Sequence, residues 1–330
     1  MEITYINKLL EKIANVTVCV VGDVCLDIYW HADMKKSELS RETPHFPLPV
    51  VKERYSLGGG GNVMANVSAL DVKAVLPVSV LGADWRGYLA RECFKTIGAD
   101  PAGLITDGTR VTPCYAKPLR EGISDVVYED PRLDFENRAP LPISTENALL
   151  DALEKAAARA DVIAVSDQLA FGAVTPKVRE RLCELGRNMP VIVDSRDRIA
   201  LYHNAIIKPN EFEAAKALDG GFTDPAAAAK ALSAKTGAPA IVTLGDKGAV
   251  WCEGKNAEIV RSTPAEPPVD PVGAGDTFLA AFAAAYAAGA AGPDAVEFAN
   301  LAAKITVKKI GTTGTANAEE IRSSAMKNEK

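Results

Sequence analysis

Histidine is scarce in this chain, paired cysteine is missing and no long apolar run occurs. Each absence removes a class of chemistry. The three histidines (His31, His45, His203) form no HExxH pair, and none lies at zinc spacing from a cysteine. A transition-metal centre is therefore not expected. The six cysteines (Cys19, Cys25, Cys93, Cys114, Cys183, Cys252) include no CxxC pair. In a chain of 330 residues they read as buried free thiols, not as a disulfide framework. There is no surplus of positive charge. The formal charge is −6, which argues against a nucleic-acid or anionic-membrane surface. Nowhere do eighteen apolar residues run together. The stretch Met1–Asn15 carries Glu2, Lys8, Glu11 and Lys12 among its apolar residues, so it reads as an amphipathic helix, not a signal peptide. A soluble, cytoplasmic chain is expected. Common nucleotide motifs are missing too. There is no GxxxxGK[ST] loop, no protein-kinase set, and the first strand leads into Gly22-Asp23-Val24-Cys25, not GxGxxG. A dinucleotide-binding Rossmann domain loses most of its support.

The residues that are present have an ordinary globular balance, 48 % hydrophobic and 24 % charged, enough to bury a large core. Val16–Val21 reads as a buried strand, with Asp27 just past its carboxyl end, where open α/β sheets bind ligands. Asp33–Arg54 mixes charge with Pro44, Pro47 and Pro49, which fits edge strands or an excursion from the sheet. Leu57-Gly58-Gly59-Gly60-Gly61-Asn62 opens a helix to about Leu70. Val111–Lys117 and Ser124–Tyr128 read as a hairpin around Glu121-Gly122. From Thr145 onward short hydrophobic strands alternate with helices, the rhythm of a parallel sheet covered on both faces. The fold expected is one α/β domain over 1–330, with a small β lid formed by segments of about 28–56 and 108–138.

The stretch around which the rest is organised is Asp270-Pro271-Val272-Gly273-Ala274-Gly275-Asp276-Thr277-Phe278, followed by an alanine-rich run to Ala288 and the stop Gly289. A helix over Thr277–Ala288 places its glycines where backbone N–H groups lack intrahelical partners and the macrodipole is positive. That is a cradle for a phosphate. Asp276 adds a carboxylate at the mouth of the cradle. Two negative groups face each other sensibly when a proton is taken between them, for example from a hydroxyl attacking phosphorus. The alternative is that Asp276 merely caps the helix.

Three later segments have the character of a nucleotide site, and each also has a plainer reading. In Lys208-Pro209-Asn210-Glu211-Phe212-Glu213, Asn210 and Glu213 share one helix face and could hold Mg²⁺ through water, or could form a capping box. Thr243-Leu244-Gly245-Asp246-Lys247-Gly248 would offer backbone amides to phosphates, or would be a hairpin turn. Asn300, in Phe298–Ala303, is one polar side chain on a small-residue face, as an adenine or ribose pocket requires.

Taken in order, Asp27, Gly59-Gly60-Gly61-Asn62, Asn210-x-x-Glu213, Thr243-Leu244-Gly245, Gly273-Ala274-Gly275-Asp276 and Asn300 resemble the ribokinase-like, PfkB-type carbohydrate kinase family, over roughly Val18–Thr315. The resemblance implies a central sheet with a β lid, ATP bound with Mg²⁺, and phosphoryl transfer to a hydroxyl of a small-molecule sugar. By the same resemblance Asp276 is the catalytic base and Gly273, Ala274 and Gly275 form its anion hole. Asp27, Gly59, Gly60, Asn62 and Asp134 meet the sugar. Lys208, Asn210, Thr243, Gly245, Gly248 and Asn300 meet the nucleotide, and Asn210 with Glu213 forms the magnesium motif. Asp270, with Val272 and the Gly311–Thr315 tail, resembles a monovalent-cation loop that would hold K⁺. Exposed lid edges point to a homodimer.

Gly22–Trp30, Pro49-Val50-Val51 and Arg132–Glu136 are similar to the kinase part of the bacterial heptose-phosphate kinases that supply ADP-heptose. Other readings are a kinase for a nucleoside or a different phosphosugar, or a non-catalytic sensor. The chain departs from the heptose type at Gln168–Gly172, where a tyrosine and a lysine are lost. It departs also at Asp194-Ser195-Arg196, in place of Asp-Pro-Lys, and at Gly60-Gly61, in place of two alanines. A phosphorylated sugar needs cations for its phosphate. Lys35, Lys36, Arg41 and Arg196 are candidates to replace the lost lysines.

Overall fold

The structure, a computed structural model, describes residues 1–220 and 224–328. Helix α1 (Ile3–Ile13) buries Ile6, Leu9, Leu10 and Ile13, the spacing of a single helical stripe. Strand β1 (Thr17–Gly22) passes through Asp23 into β2 (Val24–Asp33). Then come β3 (Val50–Gly59), α2 (Gly60–Ala69), β4 (Ala74–Gly82), α3 (Trp85–Thr96), β5 (Leu104–Asp107), β6 (Cys114–Glu121), β7 (Tyr128–Glu129) and β8 (Leu133–Phe135). The second half runs α4 (Ile143–Ala157), β9 (Val162–Asp167), α5 (Pro176–Leu185), β10 (Val191–Ser195), β11 (Ile206–Ile207), α6 (Glu211–Ala217), α7 (Pro225–Thr236) and β12 (Ala240–Thr243). It ends with β13 (Gly248–Glu253), β14 (Asn256–Arg261), α8 (Ala274–Ala287), α9 (Gly292–Thr306) and α10 (Ala318–Asn328).

Nine strands form the main sheet in the order β14-β13-β12-β11-β10-β9-β1-β4-β5. Its pairs are parallel except β12 with β13 and β13 with β14. Alternation along β1 sends Val18 and Val20 into one core and Cys19 and Val21 into the other. The first core lies under α1, α2, α8, α9 and α10, and the second under α4, α5, α6 and α7. Each fully buried aliphatic side chain contributes about 1.5–3 kcal/mol, so two filled faces hold the sheet rigid. A second sheet, β3-β2-β6-β7 with β8 also on β6, stands beside it.

Asp27 stands past the carboxyl end of β1, as expected, and lies inside β2. Leu26 and Ile28 turn into the core, while Asp27 and Tyr29 face the other way, the period of two that a strand imposes. The helix expected from Thr277 begins at Ala274, so Gly275 and Asp276 occupy its first turn. The hairpin forms between β6 and β7 with Leu119 opposite Glu129, later in the chain than its apolar alternation indicates. Strands β13 and β14 and helix α10 had no counterpart in the sequence reading.

Candidate active site

The site is built on α8. Gly273 precedes the helix with φ +81°, a left-handed conformation that favours glycine. A Cβ there would stand 2.8 Å from Asn62 Nδ2. The Ala274 N–H donates to the Pro271 carbonyl at 3.1 Å, so this amide of the expected anion hole is already taken. The N–H groups of Gly273, Gly275 and Asp276 have no hydrogen-bond partner among the described residues. They are the orphan donors that a helix start leaves for an anion.

Asn62 Nδ2 donates to Asp276 Oδ2 at 2.8 Å. Burial pushes the Asp276 carboxyl up to about 7; Asn62 opposes the rise, Asp194 adds to it, Lys208 opposes it and Asp27 adds to it. The side chain nevertheless keeps one open side, toward a cavity of about 620 Å³. A carboxyl tuned close to neutrality, with one oxygen fixed and the other free, can accept a proton at ordinary pH.

Asp194, Arg196, Lys208, Asn210, Glu213, Thr243, Gly245, Gly248, Gly275 and Asn300 line the same cavity. Lys208 Nζ lies 3.0 Å from Asp194 Oδ2, both buried. Burial works against the Lys208 charge, yet Asp194, Glu213 and Asp276 hold its ammonium above the ordinary range. Asn210 and Glu213 form a reciprocal capping box: Glu213 N–H donates to Asn210 Oδ1, and Asn210 N–H donates to Glu213 Oε2, each at 2.9 Å. The plainer of the two readings is thus realised, and one Glu213 oxygen is left over. Burial and then Asp194 push the Glu213 carboxyl up, and the Asn210 N–H, Lys208 and Arg196 oppose the rise. Among the described residues no three His, Cys, Asp or Glu side chains are grouped to hold a metal. Glu213 and Asp194 both line the cavity, oxygen donors of the kind that hold a hydrated Mg²⁺. Asn300 Nδ2 donates to the Val260 carbonyl at 3.3 Å.

On the far side of Asp276 lies the second sheet. Gly59 ends β3, and the Gly60 N–H donates to the Asp23 carbonyl at 2.7 Å. Pairing sets Ser56, Asp27, Tyr115 and Asp134 in one cross-strand row, and Arg54, Tyr29 and Lys117 in the next residues on the same face. Asp134 stands at the outer end of the Asp27 row. It sits on exposed β8, held by Arg132 through bonds of 2.6 and 2.7 Å. The cations Arg54 and Lys117 were not singled out by sequence. The Arg54 guanidinium lies 3.8 Å over the Tyr29 ring, and Lys117 Nζ lies 3.4 Å from the Tyr29 hydroxyl. Neither forms an ion pair with a carboxylate among the described residues. Burial pushes the Asp27 carboxyl up, and Lys117, Arg132 and Arg54 oppose it. Of the other suggested cations, Lys36 pairs with Asp33 at the surface and Arg196 lines the cavity. Asp270 ties its loop to the segment after α9, accepting from the N–H groups of Val272 at 3.1 Å and Gly311 at 2.9 Å.

The pfkB family carbohydrate kinase model matches residues 16–319. The chain belongs to this family. It is an ATP-dependent sugar kinase, a phosphotransferase that acts on a sugar hydroxyl, and the family uses ATP with a divalent metal. The bifunctional protein HldE of Citrifermentans bemidjiense is 32 % identical over 327 residues, 97 % of this kinase and 65 % of the relative. The HldE of Caulobacter vibrioides is 35 % identical over 319 residues, 93 % and 63 % of the two chains. This kinase therefore spans a little under two thirds of the length of these curated relatives. In fold it is similar to phosphofructokinase-2 from Escherichia coli, solved in complex with substrates and products. The TM-score is 0.72 at 18 % identity, over 96 % of this chain and 100 % of the other. No helix among the described residues is long and apolar enough to cross a membrane.

Proposed function

We propose that this kinase phosphorylates a sugar that already carries a phosphate, with a heptose 7-phosphate as the first candidate, and that Asp276 is its base. The observation that carries the reading is one carboxylate at the start of α8, fixed by Asn62 on one oxygen and open to the cavity on its other side. Asp27 and Asn62, with the backbone of Gly59 and Gly60, hold the sugar. Asp276 takes the proton of the attacking hydroxyl. The open amides at the start of α8 meet the phosphoryl group in flight. The nucleotide lies against Thr243, Gly245, Gly248 and Asn300. Lys208 keeps Asp194 neutralised beside it. Asn210 and Glu213 would hold Mg²⁺ through water, and the ion would supply charge neutralisation on the phosphates. The chain's own contribution is positioning and preorganised electrostatics.

The phosphosugar reading draws on the HldE relatives and on Arg54 and Lys117, two cations without carboxylate partners on the Asp27 face of the second sheet. Asp134 acts through Arg132, holding that guanidinium beside Tyr115. The Asp270 loop is offered as a K⁺ site; the Escherichia coli phosphofructokinase-2 has been solved in complex with potassium. Segments 28–56 and 108–138 act as the lid that excludes water. Exposed Val50, Val51 and Leu133 on that sheet favour a homodimer through it.

The test is ADP release with a panel of neutral sugars, nucleosides, hexose phosphates and heptose 7-phosphate. Turnover with phosphosugars is expected. Tight binding without ADP release from any acceptor would instead make the chain a sensor. Arg54→Ala and Lys117→Ala should each raise KM for the phosphosugar about tenfold or more, the worth of a charge-assisted hydrogen bond, with KM for ATP unchanged. Equal losses on a neutral sugar would remove these two side chains from phosphate recognition.

A further inference from the structure

Behind Asp276 a file of buried polar side chains runs away from the cavity across α2, α8 and α9. Asn62, Asn66, Thr277 and Thr306 are each 1 % exposed. Asn62 Nδ2 donates to Asp276 Oδ2 at 2.8 Å. Asn66 Nδ2 donates to the Asn62 carbonyl at 2.9 Å and to Asn62 Oδ1 at 3.3 Å, with the Gly314 carbonyl at 3.5 Å. The Thr277 hydroxyl donates to Asn66 Oδ1 at 2.9 Å and lies 3.1 Å from the Thr306 hydroxyl. A helix junction held only by packing has no use for four such groups, since apolar side chains of the same shape would fill it without burying polar atoms.

The direction of the bonds follows from the partners. Asn66 Nδ2 is surrounded by oxygens that can only accept, so that end of the amide must be its nitrogen, and Asn66 Oδ1 must face Thr277. Thr277 has one proton and gives it to Asn66 Oδ1. The Thr306 hydroxyl donates back along its own helix to the Ala302 carbonyl at 3.2 Å, so it stands beside Thr277 without feeding it a proton. Asn62 Oδ1 faces the Asn66 nitrogen, which leaves Asn62 Nδ2 for Asp276. From Thr277 to Asp276 each step has its donor pointing toward the carboxylate, and aligned hydrogen bonds polarise one another.

We infer that Thr277, Asn66 and Asn62 form a one-way donor relay that holds Asp276 in its ionised, proton-accepting form. Asn66 and Thr277 are positioning residues; neither reaches the reacting atoms. The inference rests on Asp276 as the base. The charged groups that face Asp276 are Asp194 on β10, Lys208 after β11 and Asp27 on β2, with the Cys25 thiol of β2 beside them. The two acids disfavour the ionised form and Lys208 favours it. Helices α2 and α9 bring only neutral amides and hydroxyls to this row of bonds. Without the relay, the balance tips toward the protonated acid.

The pH dependence of kcat/KM in the full chain, followed by ADP release, tests this. Thr277→Val removes the hydroxyl and keeps the shape, while Thr277→Ser keeps the hydroxyl. In Thr277→Val and in Asn66→Leu the acid limb should move to higher pH by about half to one unit, the change one neutral hydrogen bond produces. Activity should recover toward the wild-type plateau at high pH, with KM for ATP unchanged. Thr277→Ser should follow the wild type. A lower plateau with an unmoved acid limb in Thr277→Val would mean packing alone and would overturn the relay. If Asn66→Leu does not fold, the Thr277 pair still decides. Asp276→Asn run alongside separates the two failures: full turnover there removes the base itself, whereas an inactive Asp276→Asn with an unmoved Thr277→Val limb removes only the relay.

Discussion

Asp276→Asn should lose at least about 10²-fold in kcat, the contribution of a positioned general base, and should gain stability at the same time. The amide can keep the contact with Asn62 but cannot take a proton. The pH profile follows with a fixed sign. A base acts in its ionised form, and burial has pushed this carboxyl up to about 7. Wild-type kcat/KM should therefore fall tenfold per pH unit below about 7, and the residual activity of the variant should lack that limb. The stability effect has its own sign. The folded value lies above the ordinary 3.8, so the folded chain holds a proton that the unfolded chain has released between about pH 4 and pH 7. Stability falls as pH rises through that window, and the whole penalty is present above it. Asparagine carries no such penalty, so at pH 8 the variant should unfold about 1–2 kcal/mol later than the wild type, a trade of function for stability. Below pH 4 the difference should vanish. Urea unfolding at pH 4 and pH 8, together with ADP release, measures both halves. Undiminished turnover would take Asp276 out of the base role, and lower stability at pH 8 would mean its charge is not confined as described.

What could be read along the chain was local. The phosphate cradle needs only a glycine pair, an acid and an alanine-rich run, and all lie within one stretch. Even there the helix start was misplaced by one turn, because Gly275 and Asp276 look like loop residues until Gly273 is seen to carry the left-handed turn. At Asn210 and Glu213 sequence left two readings open for a physical reason: the same oxygens that cap a helix can also face a hydrated cation. The phosphosugar cations were illegible because Arg54 and Lys117 are brought to Tyr29 only by the β2–β3 and β2–β6 registers. No local spacing connects them. Asp27 was found by its place just past the first strand and by resemblance, while β2 around it went unread, since an acid inside a strand breaks the apolar run by which strands are recognised. The relay escaped for a related reason. Asn66 and Thr277 look like neutral residues on small-residue helices until α2 and α8 converge.

Asp23→Ala should cost about 3–6 kcal/mol, a large share of the 5–15 kcal/mol that holds a domain of ordinary stability together. Asp23 stands between β1 and β2, where the chain leaves the main sheet for the second one, and it is 2 % exposed. Its carboxylate accepts the N–H groups of Gln168 at 2.8 Å, Leu169 at 2.7 Å and Ala173 at 2.6 Å. The loop wraps this carboxylate so closely that a Cβ on Gly172 would lie 1.9 Å from Asp23 Oδ1. Alanine would strand three N–H groups, each costing about 1–3 kcal/mol when buried without a partner, with some of the loss recovered where water enters. Asp23→Asn keeps one acceptor oxygen and should lose roughly half as much by the same reasoning. The same residue binds the site together through its backbone: its N–H donates to the Ser166 carbonyl at 2.9 Å, and its carbonyl accepts from Gly60 at 2.7 Å. Loosening the clamp should therefore displace Asp27 and the start of α2 together, and kcat/KM should drop along with the urea midpoint while the m-value stays constant. A loss below about 1 kcal/mol, the average for any substitution, would show that the 168–173 loop holds its place without Asp23.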